Sequence, residues 1–336
     1  MQLCLGYPTH GYYMKGDPLG VAGDFITSPE ITQVFGELTA IWFISALQAT
    51  VPLSSPPSGG GIRKLRLVEL GPGRGTLSSD ILRVLTGPLA SRSGLPPVTN
   101  VHLVETSLAL RAKQERILEQ YTHNASSTTS SGSIDPLSIE WHDHIDDVPV
   151  DVGPETHTLV VANEFFDALP INVFEKAADG WREVLVDENT QSNVLRPSEV
   201  PVSSRTDTSS TSIASTLHSP PRLRFIVSNQ PLPVPALATN PRFLNLPVGT
   251  RVEYSRGGVG TMRSLARLIG GSGSGGGRGL GLIIDYGDDR FFSSSFRGIR
   301  NHRIVDPFDQ PGNSDLTANV DFATLKDAIG DVTNGM

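Results

Sequence analysis

The stretch Arg66-Leu67-Val68-Glu69-Leu70-Gly71-Pro72-Gly73-Arg74-Gly75-Thr76-Leu77 decides how the rest of the chain is read. An apolar run ends in an acid and a glycine loop, and a helical pattern follows in Leu77, Ile81, Leu82 and Leu85. Glycines at a strand-to-helix crossover let a ligand lie against bare backbone, because no Cβ stands in the way. The spacing narrows the ligand. A dinucleotide fingerprint needs Gly-x-Gly-x-x-Gly, whereas Gly71, Gly73 and Gly75 alternate here and Thr76 stands in the third glycine's place. A P-loop needs Gly-Lys-Ser/Thr, and this loop carries no lysine. Glu69 is a poor neighbour for a pyrophosphate. It suits a cationic, phosphate-free ligand such as S-adenosylmethionine, whose ammonium and sulfonium groups both favour nearby carboxylates. The plain alternative is a glycine-rich turn in an unrelated α/β protein.

Working outward, Leu65–Leu70 is followed by further short apolar runs at Val101–Glu105, Thr158–Ala162 and Leu280–Tyr286, with a more exposed strand expected at Trp181–Val186. Such strands alternating with helical segments predict a doubly wound, mostly parallel α/β sheet. In sheets of this kind ligands bind outside the strand carboxyl ends. Glu69, Glu105, Glu164 and Asp285 all fall at such ends. Towards the amino end, Thr27, Ser28, Pro29 and Glu30 read as a helix start in capping-box or serine-cap form. Ile31, Val34, Phe35, Leu38, Ile41, Trp42 and Ser45 then recur at helical spacing and are expected to face the core.

Four stretches read as linkers: 52–61, 124–133, 270–279 and about 192–247, the last a loosely ordered Ser/Thr/Pro-rich excursion rather than a domain. The expected division is therefore an N-terminal cap over 1–62, a cofactor-binding core over 63–190, an insertion over 191–247 and the remainder of the core over 248–336.

With 336 residues the chain can bury a substantial core. A net charge of −8 and a pI near 5.5 give no global basic field for nucleic acid or anionic membrane, and no apolar run is long enough to span a bilayer. A single cysteine, Cys4, excludes an intramolecular disulfide and argues against a cysteine-based zinc site. The opening residues are neither a presequence nor a signal peptide.

The candidate site is read residue by residue. Glu105 is placed to accept both ribose hydroxyls of an adenosyl group, or else to cap the next helix through Thr106 or Ser107. In Trp141-His142-Asp143-His144, His142 and Asp143 are candidates to bracket an adenine. The His-x-His pair resembles half of a metal site, but no third and fourth ligand accompany it, and no metal is expected. In Asn163-Glu164-Phe165-Phe166-Asp167-Ala168-Leu169-Pro170, Glu164 and Asp167 flank two aromatics directly after a buried strand. If the acceptor is a guanidinium, such carboxylates hold its planar fork and draw charge towards one nitrogen. The bland reading makes Asp167 a helix cap and the phenylalanines core. Asp24 and Glu30 are weaker candidates to reach over the site as a lid.

These segments occur in a telling order. Gly11-Tyr12-Tyr13, the run Gly23–Glu30 with Phe35-Gly36-Glu37-Leu38, Glu69–Gly75, Asn163–Pro170, Gly180–Glu183, Asp285-Tyr286-Gly287 and Asp315–Phe322 together resemble the MidA-type mitochondrial protein arginine methyltransferases, which act as complex I assembly factors. The resemblance covers most of the chain outside the linkers. It implies a class I, Rossmann-like fold dependent on S-adenosyl-L-methionine, a location in the mitochondrial matrix, and an arginine of the NDUFS2-type subunit of complex I as acceptor. Symmetric dimethylarginine is the product it implies. It assigns Glu69, Gly71, Gly73 and Gly75 to the cofactor loop, Glu105 to the ribose, and Glu164 and Asp167 to the acceptor side. Members of that family begin with a targeting sequence and a helical segment and continue beyond the motif at Asp315–Phe322 into strands that complete the sheet, so by the same resemblance this chain is expected to lack both. Two other readings compete: an assembly protein that keeps the fold without catalysis, and a methyltransferase for a small molecule.

Overall fold

The computed structural model describes residues 1–15, 27–50, 63–123, 137–153, 155–189, 223–270 and 278–334. Asp24, the stretches 52–61 and 124–133, most of 270–279 and the first part of the long excursion lie outside the described residues. The chain divides into two compact units, one formed by Met1–Asn172 with Arg251–Met336 and the other by Val173–Thr250.

The first unit is built on a parallel sheet. Its strands are β1 (Lys64–Leu70), β2 (Val98–Val104), β3 (Ser138–His142), β4 (Thr156–Asn163) and β9 (Arg278–Ile284), in the order β3-β2-β1-β4-β9. Every neighbouring pair is parallel. The alternation of side chains along each strand divides the core into two layers. Leu65, Leu67, Val101, Leu103, Leu159 and Val161 pack with α3 (Gln33–Thr50), α4 (Thr76–Leu85) and α6 (Leu108–His123). On the opposite face Val68, Leu70, Val160 and Ala162 pack with α9 (Arg256–Gly270) and α10 (Phe322–Asn334). This is the expected doubly wound arrangement. From β1 the chain winds outward to β2 and β3, then returns to β4 on the other side, so the β1/β4 pair is the switch point at which such sheets bind ligands.

Among the remaining elements of this unit, those at the amino end and after β9 contribute residues to that crevice. At the amino end lie α1 (Gln2–Gly6), a turn of 3₁₀ helix at Tyr12–Met14, and α2 (Ser28–Ile31). The short α5 (Pro88–Arg92) interrupts the connection between α4 and β2, and β8 (Arg251–Tyr254) leads into α9. After β9 come two small sheets. β10 (Gly287–Asp288) pairs with β14 (Val320–Asp321), and β11 (Arg297–Arg300) lies between β12 (Arg303–Val305) and β13 (Asp315–Thr317).

The second unit carries β5 (Asn172–Ala177), β6 (Gly180–Glu188) and β7 (Leu223–Val227) in an antiparallel array, with α7 (Pro235–Thr239) and α8 (Pro241–Leu244). Phe174, Trp181, Val234, Leu237 and Phe243 are its buried residues of largest size. Within the long excursion, therefore, 223–247 is ordered and contributes a strand and two short helices. The hairpin over 172–188, which the expected segmentation assigned to the cofactor core, clusters with it because Val184–Glu188 of β6 pair with β7.

The stripe expected to face the core is a correction. Ile31, Val34, Leu38, Ile41 and Trp42 are exposed, while Gly36, Thr39, Ala40, Phe43, Ile44 and Leu47 are buried. Helix α3 is apolar on most of its circumference, and the side with small residues wins because it allows close approach to α4. A Cβ added at Gly36 would lie 2.4 Å from the Asp80 Cβ. The expected side-chain cap at the start of α2 is also absent: Thr27 makes no capping bond, and the Glu30 carboxylate that would complete a capping box is bonded to Arg74 and Thr76 instead.

Candidate functional site

The glycine loop folds as its composition demands. Gly71, Gly73 and Gly75 take φ values of +63°, +53° and +89°, the left-handed region that side chains resist. Space is short as well. A Cβ at Gly71 would stand 2.8 Å from a ring carbon of Phe165, and one at Gly75 would stand 3.2 Å from the Gln114 Cα. The loop thereby presents bare backbone at the end of β1, and Gly75 caps α4.

Glu69 is 2% exposed and accepts a short hydrogen bond from the Ser78 hydroxyl. Burial pushes its carboxyl up to about 7, against the pull of the Ser78 bonds. Glu105 ends β2, where the Ser107 N–H donates to its Oε1 at 2.7 Å, so the helix-capping reading and the pocket position hold together. Its pKa is raised, chiefly by burial. The residue that ties this wall together is Gln114, fully buried on α6. Its Nε2 donates to the Gly73 carbonyl at 2.7 Å and lies 3.5 Å from Glu105, while its Oε1 accepts from the Trp141 indole at 2.8 Å. No sequence motif singled it out; its side-chain amide serves a carbonyl through the NH₂ and an indole N–H through the oxygen at once.

Opposite stands a wall of carboxylates. Glu164 follows β4 with φ +49°, a strained conformation for a residue with a side chain. Burial and then the neighbouring Asp167 raise its pKa, while the Ser28 backbone and the Asn163 side chain lower it. Asp167 is raised by burial, offset by the Thr317 hydroxyl, which donates at 2.7 Å, and by the charge of Arg297. Asp285 at the end of β9 organises the whole turn. Its Oδ2 accepts from the backbone N–H of Phe165, Phe166 and Asp167 at 3.1, 2.8 and 3.3 Å, and its Oδ1 accepts from Tyr286 N–H at 2.8 Å. Burial and the charge of Asp167 push it up to about 7 in spite of these amides. Further round, the Tyr13 hydroxyl donates to Asp315 at 2.8 Å. Tyr13 is raised well above its ordinary range by burial, then by Asp315.

Both walls line one cavity of about 930 Å³, within the size range of small-molecule sites. Glu69, Gly71, Gly73, Glu105, Asp143, Glu164, Asp167 and Glu30 all reach it. Glu30 is placed as a brace: Arg74 donates to its Oε2 at 3.1 Å and Thr76 to its Oε1 at 2.6 Å, which fixes α2 to the glycine loop. Asp143 accepts from Arg111 at 2.6 Å. His142 is a correction. Alternation along β3 sends Trp141 towards Gln114 and turns His142 to the other face, where its Nε2 lies 2.9 Å from His102 Nδ1. It is not among the cavity-lining residues, whereas His144 is.

The donor set fits an adenosyl sulfonium compound: a loop whose glycines present bare backbone, two separate carboxylates and a cavity large enough to hold it. Comparison with known proteins gives the same direction. Residues 38–334 match a family model described as "Putative S-adenosyl-L-methionine-dependent methyltransferase". A Danio rerio protein named protein arginine methyltransferase NDUFAF7, mitochondrial, is 37% identical over 98% of this chain and 67% of its own length. The Homo sapiens protein of that name is 35% identical over 97% of this chain and 63% of its own. The chain thus spans about two thirds of the length of these relatives. A Burkholderia thailandensis protein crystallised with S-adenosyl-homocysteine superposes with a TM-score of 0.63, at 22% identity, covering 99% of this chain and 70% of the other. At that identity the likeness establishes the fold.

Proposed function

The chain belongs to the family of S-adenosyl-L-methionine-dependent methyltransferases, and from that premise we propose that it methylates arginine in a protein substrate. One observation carries the acceptor class: three carboxylates, Glu164, Asp167 and Asp315, line one side of the cofactor cavity with the Asp285 carboxylate behind them, and like charges at close range favour a cationic guest. A guanidinium meets that wall with a planar fork of donors and keeps its charge under all ordinary conditions.

S-adenosylmethionine, when bound, supplies the methyl group as an electrophile on a positively charged sulfur. The residues of this chain do the positioning. The loop Gly71–Gly75 and the carboxylates of Glu69 and Glu105 hold the cofactor. Glu164 and Asp167 orient the guanidinium and draw its positive charge away from the attacking nitrogen. That nitrogen gains the methyl and must then lose one proton. The Glu164 carboxylate, raised by burial and by Asp167, is the better placed base to take it.

The names of the relatives support a mitochondrial site of action. We place the protein in the matrix, with the NDUFS2-type subunit of complex I as acceptor, symmetric dimethylarginine as product and support of complex I assembly as its role. No helix among the described residues is long and apolar enough to cross a membrane. The test is incubation of the chain with methyl-labelled cofactor and that subunit, followed by mass spectrometry of its arginines. We expect label on arginine, with Glu164→Gln lowering turnover by about 100-fold or more and leaving cofactor affinity within about twofold. Normal turnover in that variant would remove Glu164 from the mechanism. Cofactor binding and capture of the subunit without methylated arginine would favour the non-catalytic assembly role.

A further inference from the structure

Outside the cofactor cavity, β2 and β3 bring three metal-ligating side chains onto one face of the sheet. His102 stands opposite Glu140 in the parallel register, and Val104 stands opposite His142. His102 Nδ1 lies 2.9 Å from His142 Nε2 and 3.9 Å from a Glu140 carboxylate oxygen. All three ligand atoms fall within 4.8 Å of one another. The His142-x-His144 pattern therefore misleads about the partner. His144 faces the cavity, and the second imidazole comes from a residue 40 positions earlier on the adjacent strand.

We propose that His102 Nδ1, His142 Nε2 and a Glu140 carboxylate oxygen bind one divalent transition-metal ion of the zinc type. A tetrahedral ion with bonds of about 2.0–2.1 Å keeps its ligand atoms about 3.3 Å apart, and the observed 2.9 and 3.9 Å bracket that spacing. Two imidazoles and one carboxylate are a donor set suited to zinc, cobalt or nickel rather than to calcium or magnesium, which take oxygen ligands. His102 is buried, and its Nδ1 meets His142 Nε2 at hydrogen-bonding distance, so an ion would take the place of the proton that the two rings share. The buried Arg66 guanidinium is an unfavourable charge nearby. It is tied to Thr158 Oγ1 and the Pro149 carbonyl. The Glu140 side chain is half exposed on an edge strand, which gives the ion an entry path and leaves a fourth position to water.

The site would fasten the edge strand β3 to β2 just before the turns that carry Glu105 and Asp143 into the cavity. The His142 carbonyl already accepts the Glu105 N–H at 2.9 Å. A metal here would stiffen the cofactor wall without touching the cofactor.

The experiment is titration of cobalt(II) into the tag-free, chelator-treated full chain with no cofactor present, read by visible absorption and repeated with zinc by calorimetry. We expect about one equivalent to bind with the intense bands of a four-coordinate site, and zinc to displace it. Glu140→Ala and His142→Ala should each weaken binding at least tenfold, and His144→Ala should leave it unchanged. His102 is buried and its replacement risks misfolding, so the two accessible ligands carry the test. Absence of binding, or binding indifferent to both substitutions, would overturn the proposal.

Discussion

The two walls of the cavity use carboxylates in opposite ways. On the cofactor wall, Glu69 and Glu105 stand apart, each answered by neutral donors: Ser78 for the first, Ser107 and Gln114 for the second. Their pKa values rise mainly because they are buried. On the acceptor wall the carboxylates act on one another. Burial is again the largest cause of the rise at Glu164 and Asp285, but here Asp167 adds to both, and the charges of Glu164, Asp167 and Asp285 raise Tyr286. The first arrangement recognises a fixed shape with a charge at known positions. The second holds repulsion that a cation relieves on entering. Shape on one side and stored charge on the other are separable properties, and each can be broken alone.

The largest effect is expected from Gly71→Ala. The left-handed φ costs about 1–2 kcal/mol for any side chain, and the new Cβ would stand 2.8 Å from Phe165. Together these should weaken cofactor binding on the order of 100-fold by calorimetry. A loss of less than about threefold would mean that the bare backbone is not where the cofactor lies. Next in size is a pH effect on the same wall. Only ionised Glu69 attracts a cationic cofactor, and its free-state pKa is about 7. Binding should pull that value down and release a proton, so affinity should fall by up to about tenfold per pH unit below 7 and level off above about 8. Glu69→Gln should bind weakly with no such slope between pH 5.5 and 8.5. A slope retained in the variant would transfer the effect to the acceptor wall and blur the contrast.

What the sequence disclosed divides along similar lines. Strands β1, β2 and β4, interior to the sheet, were legible as largely apolar runs, and the half-buried edge strand β9 through its apolar stretch Leu280–Ile284; the glycine loop was legible because glycine is at ease in its three left-handed positions. Edge strand β3 was not, since Ser138–His142 is half buried and only five residues long, so its polar–apolar alternation is too short to stand out. Failure to see β3 also misdirected His142, whose facing depends on strand alternation. The face of α3 was misread because a helix apolar on most sides offers two candidate stripes, and contact distance to α4 chose the side of Gly36 and Ala40 over the bulkier one. Asp285 was visible as an acid at a strand end, but its four amide partners lie about 120 positions away or next to it, which a linear reading cannot join. Gln114 carried no signal at all: a glutamine inside a long helix looks like surface until its burial is known.

The smallest effect tests the acceptor wall through stability. Asp285 is raised from an ordinary aspartate value to about 7 by burial and Asp167. A carboxyl raised on folding favours the folded state at low pH; its contribution is complete below about pH 4 and is lost as pH rises through about 7. Asp285→Asn cannot ionise, but it offers one acceptor oxygen where four amides require two, so it should be less stable at every pH. The slope is therefore the quantity to compare. In cofactor-free protein, the melting temperature of the wild type should fall relative to the variant by a few degrees between about pH 4 and pH 7.5. If the difference instead grew with pH, the four amides would be holding Asp285 ionised against its neighbours. The repulsion that sets this wall apart from the cofactor wall would then be absent.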